Sequence, residues 1–181
     1  MSAEVRVSTL RPAAATRWLV PALLRGLLWV LLGSWIGSWL LFALVVAPTA
    51  FRVLPSPGAA GALVAPVLDA LHLYGVFAGL CLAALALALR RGALRIAIPL
   101  LMAAACLYSQ FGVSAELAEI RDLVFGPEGN ETLAARFTEL HRLSMTIYSC
   151  VLIAALVLAG LHAARDAEES GTDRNHSRVR P

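Results

Sequence analysis

LHLYGVFAGLCLAALALALRRG, residues 71–92, decides the fold. From Leu73 to Leu89 no side chain is charged, and the run stops abruptly at Arg90-Arg91-Gly92. Extended back to about residue 60, this is more than the roughly 20 apolar residues that an α-helix needs to cross a bilayer. The short basic turn forces the chain straight back into the next apolar run, an antiparallel hairpin of two spans. The same reading gives four spans, at about 23–50, 60–89, 93–115 and 138–163. A chain of 181 residues that is 59% hydrophobic, with a mean hydropathy of +0.75, leaves no room for a separate soluble domain. The expected fold class is all-α, an integral membrane four-helix bundle.

All 15 basic residues are Arg, and their placement says more than the net charge of +3. Arg6, Arg11, Arg17 and Arg25 precede the first span, Arg90, Arg91 and Arg95 crowd the second turn, and Arg165, Arg174, Arg178 and Arg180 follow the fourth. Arg accumulates beside cytoplasmic span ends, so both termini are expected to be cytoplasmic in a multi-pass protein of the cell membrane. The remaining connections hold Arg52, Arg121, Arg136 and Arg142, and the longer of them is rich in Glu and Asp. Residues 1–22 read as a mobile or interfacial lead-in, 23–165 as the membrane domain, and 166–181 as a disordered cytoplasmic tail. The first apolar run is far longer than a signal core and is expected to stay as a span. Scattered membrane-flanking Arg without a basic, aromatic-interleaved patch speaks against nucleic-acid binding.

Past Gly112 the third span continues its apolar period as Val113, Leu117, Ile120 and Val124, with Glu116, Glu119 and Asp122 turned away. That pattern predicts an amphipathic extension into the outer aqueous layer, stopped by Gly126-Pro127. Pro48 is expected to kink or end span one. Gly33 and Gly37 in span one, and Gly75 and Gly79 in span two, form two GxxxG motifs. They predict close packing of the first two spans against each other, with a homo-oligomer seam as the alternative. Trp35 and Trp39 flank the first motif.

Ionisable groups inside a span are functional candidates, because their burial in hydrocarbon is costly. Asp69 and His72 lie i, i+3 on span two, and His141, Ser144 and Tyr148 follow i, i+3, i+7 on span four. Tyr108, Ser109 and Gln110 add polar atoms to span three. If these stripes face one another, they form an outward polar mouth edged by Arg52 and Arg142, which would take a small anionic or lipid-like ligand. The competing account has the same groups hydrogen-bonding to neighbours or water at headgroup depth. Two further alternatives are a haem- or quinone-binding redox protein using His72 and His141, and a small transporter. The first needs both imidazoles at one depth on either side of one iron. No nucleophile, base and orienting group occur in catalytic spacing, and Cys81, Cys106 and Cys150 lack metal-ligand spacing. The chain is therefore expected to be non-enzymatic, without a resident metal or cofactor.

Gly33 and Gly37 leading to Ala47-Pro48-Thr49-Ala50-Phe51-Arg52-Val53-Leu54, then Ala60-Gly61, Tyr108 through Val113 to Ile120-Arg121, and Phe137 with Leu140-His141-Arg142-Leu143-Ser144 form a further pattern. In these motifs, across about residues 26 to 163, the chain resembles the transmembrane-protein-205-like proteins, a domain of unknown function. The resemblance implies four membrane spans and carries over no catalytic residue. Ser114-Ala115 stands where that pattern commonly has a Pro, and Ala65 where it has an aromatic.

Overall fold

The computed structural model describes residues 12–126 and 131–178, all helical apart from short connections. Helix α1 runs over Pro12–Leu41 and passes through a π-helical turn, Phe42–Val46, into α2, Ala47–Val53. Helix α3 spans Pro57–Ala88. Helix α4, Ala93–Tyr108, passes through a second π-helical segment, Ser109–Ser114, into α5, Ala115–Phe125. Helix α6 covers Glu131–Arg178. Four helical rods, Leu19–Val53, Pro57–Ala88, Ala93–Phe125 and Glu131–Gly171, are long and apolar enough to cross a membrane.

The rods form an antiparallel ring: α3 packs most extensively on α4, α4 on α6, and α1 closes the ring against α3 and α6. At 1.5 Å per residue, the 21 to 27 residues between the polar groups at the two ends of each rod set those ends roughly 32–40 Å apart, slightly more than the hydrocarbon core. Arg25, Arg91, Arg95 and Asp166 share one end, and Arg52, Asp69, Glu116 and Arg142 mark the other. Leu28, Leu32, Trp35, Trp39, Leu82, Met102, Cys106, Val151 and Leu158 fill the centre. The outer surface carries Val30, Leu44, Phe77, Leu87, Leu101 and Ile153, as lipid-facing helices require.

Local chemistry explains the boundaries. Ser56 caps α3 by accepting from the Ala59 N–H at 3.2 Å, with Pro57 at the first helical position, where no N–H is needed. The α3–α4 turn closes with the Arg91 N–H on the Ala86 carbonyl, and Arg90 sits at φ 53. This is a Schellman motif with a non-glycine residue in the left-handed position. The strain of that position predicts that Arg90→Gly raises thermal stability in zwitterionic detergent by about 1 kcal/mol. An unchanged or lower melting temperature would contradict it.

Several expectations are corrected. Pro48 does not end the first span; the π-turn just before it changes the hydrogen-bond register, with the Ala47 N–H bonding to the Phe42 carbonyl, and helix continues to Val53. The lead-in 1–22 is helical from Pro12, while residues 1–11 lie outside the described residues. The segment from Asp166 is not a disordered tail up to Arg178. It continues α6, because its carboxylates pair with Arg residues of other elements. Residues 179–181 lie outside the described residues. The amphipathic extension of span three is present as α5, fastened by Arg136 of α6 to Glu116 at 2.7 and 3.0 Å.

The two GxxxG motifs diverge. A Cβ on Gly75 would come within 2.7 Å of Cys106 Sγ, and one on Gly79 within 2.6 Å of the Pro99 carbonyl oxygen, so this motif seats α3 on α4. A Cβ on Gly33 or Gly37 meets nothing within 4 Å. The first motif faces outward and does not pack the first two spans together.

Candidate functional site

The site is a buried polar layer in the half of the bundle near Asp69. From α1 comes Trp39, stacked on Tyr148 of α6 with ring centroids 4.3 Å apart. Trp39 also lies edge-on to His72 of α3 at 6.2 Å, and Trp35 lies one turn away at 6.4 Å. The Tyr148 hydroxyl donates to the Trp39 carbonyl, tying α6 to α1 three residues before the π-turn. From span three come Ser109 and Gln110, the first residues of the second π-segment, with Gln110 beside the imidazole. Both π-segments thus adjoin this layer, a placement π-bulges often take at functional sites.

His72 has 0% exposure, and neither ring nitrogen makes a hydrogen bond of normal geometry among the described residues, although the Gln110 side chain lies close enough to accept one from the imidazole. Trp35 Nε1, Trp39 Nε1, Ser109 Oγ and Gln110 Oε1 are likewise buried and unpaired. The indoles can only donate, the Gln110 oxygen can only accept, and the imidazole and hydroxyl can do either. Each unpaired buried group costs roughly 1–3 kcal/mol. Chemically, the layer presents unmet donors and unmet acceptors side by side in a closely packed core.

The residues expected to form one outward mouth divide between two environments. His72, Ser144 and Tyr148 are buried in the core, and Asp69, half-buried, lies near enough to His72 to act on it electrostatically. Arg52, His141 and Arg142 are exposed. His141 lies flat beside Phe137, its own helical neighbour, at 6.4 Å. One imidazole is thus sealed in the core and the other lies on the outside of α6, so the two do not face one iron.

A second polar cluster, at the opposite end, escaped the sequence reading. Arg91, 3% exposed, donates to Asp166 Oδ1 at 2.5 Å, and Trp29 Nε1 donates to Asp166 Oδ2 at 2.9 Å. Arg25 pairs with Glu169, while His162 is buried with neither nitrogen hydrogen-bonded among the described residues. The signal was there: His162, Asp166 and Glu169 follow i, i+4, i+7 on one helical face. The polar composition of the following residues hid it.

A family model described as a domain of unknown function (DUF4149) matches residues 30–123. The chain belongs to that family. The DUF4149 match covers Trp35, Trp39, His72, Ser109 and Gln110, and ends before α6 with Ser144 and Tyr148. No curated protein and no solved structure matches the chain.

Proposed function

We propose that this DUF4149 protein is a non-enzymatic, multi-pass protein of the cell membrane that holds a small ligand in the polar layer around His72. The carrying observation is His72 itself, fully buried beside Trp39 and Gln110, with neither nitrogen in a hydrogen bond of normal geometry among the described residues. An intramembrane imidazole whose protein neighbours, Gln110 and Asp69, leave its hydrogen bonding incomplete is a functional candidate, because its burial is costly. A ligand offering both donors and acceptors would satisfy several of these atoms at once. The Arg distribution supports cytoplasmic termini, which puts the His72 layer in the outer half of the membrane. Arg52 and Arg142 at that end suit approach by an anionic or lipid-like molecule. The non-enzymatic reading rests on the neighbouring groups. The Tyr148 hydroxyl is engaged by a backbone carbonyl, and Cys106 packs against Gly75.

Native mass spectrometry of protein released from native-lipid nanodiscs tests this. A discrete non-protein adduct should accompany the wild type and disappear from His72→Leu, which keeps the side-chain volume and removes both nitrogens. Identical spectra for the two would overturn the proposal.

A further inference from the structure

We infer that the Arg-rich end of the bundle carries a site for the phosphate group of an anionic phospholipid, built on the turn between α3 and α4. The turn holds Arg90 outside and Arg91 inside. One helical turn on, Arg95 donates from Nε to the Leu161 carbonyl at 3.0 Å and from Nη1 to the Arg91 carbonyl at 2.9 Å. These bonds orient the guanidinium without neutralising it. Arg95 has no carboxylate partner among the described residues, whereas Arg25, Arg91, Arg136 and Arg165 each have one.

The carboxylates behind Arg95 do not saturate the cluster. Arg91 Nε and Nη1, Arg25 Nε and both His162 nitrogens have no hydrogen-bond partner among the described residues, Arg91 Nη1 having only a long contact to Glu169 at 4.0 Å. All of these are donors except one nitrogen of a neutral imidazole, so the unmet demand is for acceptor oxygens. Among the side chains described at this end, Arg25, Arg90, Arg91, Arg95 and Arg165 stand with Asp166, Glu168 and Glu169, five positive charges and three negative, an excess of two. A planar guanidinium fork matches phosphate oxygens, and basic clusters between helices at the cytoplasmic boundary suit anionic headgroups.

Position favours a lipid over a dissolved anion. The cluster lies roughly 32–40 Å along the rods from the opposite polar end, which sets it at headgroup depth when the apolar stretch between them spans the bilayer. On the two arms of the same turn, Leu87 is 66% and Leu94 59% exposed, an apolar flank that acyl chains would cover and a free phosphate would not. The inference rests on membrane insertion and is independent of the His72 proposal.

The test uses the full chain in mild detergent, supplied with phosphatidylglycerol, phosphatidylcholine of the same acyl chains, or inorganic phosphate, and read by native mass spectrometry and thermal stability. Phosphatidylglycerol should be retained several-fold more than phosphatidylcholine. Arg95→Gln should lower its retention about fivefold, the effect of one interfacial Arg. Arg95→Lys should restore most of it, and phosphatidylcholine retention should not move. Arg90→Gln, at an exposed position, should lower retention in the same direction even if Arg95→Gln does not fold. Equal retention of the two lipids, or unchanged retention in both Gln variants, would overturn the site. Inorganic phosphate that stabilises the protein as much as phosphatidylglycerol would overturn the lipid assignment.

Discussion

Asp166→Ala is expected to destabilise the folded protein by about 2–3 kcal/mol, toward the low end of the effect of breaking a buried ion pair, because Arg91 is sealed while Asp166 is 26% exposed. Arg91 would be left sealed in the bundle, with Glu169 at 4.0 Å as its remaining carboxylate, and Trp29 would lose its acceptor. Asp166→Asn keeps one acceptor oxygen and should fall between the variant and the wild type. Arg91→Met with Asp166→Ala should recover much of the loss, because two apolar groups leave no uncompensated charge. Equilibrium unfolding in mixed detergent micelles measures all three. An Asp166→Ala protein as stable as the wild type would show that α6 is not fastened to α1 and the α3–α4 turn through this pair.

The second large effect separates two glycines of identical sequence motif. Gly79→Ala forces a methyl group to within 2.6 Å of the Pro99 carbonyl oxygen and 2.9 Å of Ala103 Cβ. Backbone must move, and overpacking of this kind costs about 1–3 kcal/mol. Gly33→Ala meets nothing within 4 Å and removes a flexible residue from a helix. It should be neutral or stabilising by up to about 1 kcal/mol. Thermal unfolding of both variants at matched detergent concentration gives the comparison. Equal losses at the two positions would contradict the packing of α3 on α4 described above.

These two cases also show what the sequence could and could not disclose. The four spans, the tight α3–α4 hairpin and the amphipathic α5 were legible because hydropathy, Arg placement and helical periodicity are local properties. GxxxG is local too, yet Gly75 and Gly79 lie against Cys106, Pro99 and Ala103 while Gly33 and Gly37 face outward. Which small face meets a neighbour depends on how the rods rotate in the ring, and spacing within one helix does not contain that. The same rotation divided the expected mouth, turning His72 and Tyr148 inward and leaving His141 and Arg142 outside. Asp69 and His72 were visible as a pair, but Trp39 joined them only through the ring closure of α1. At the other end, the polar residues after Arg165 read as tail by composition. Asp166 and Glu169 are helical because their partners, Arg91 and Arg25, lie 75 and 144 residues away.

The claim at the centre of this account is that the His72 imidazole meets a ligand and not only protein. Nitrogen NMR of histidine-labelled protein tests it most directly, comparing native membranes with protein stripped of native lipid and reconstituted in pure phosphatidylcholine. The account predicts that the His72 ring nitrogens shift between the two preparations as their hydrogen-bond partner is lost, while those of His141 do not. Superimposable His72 signals in both preparations would contradict it.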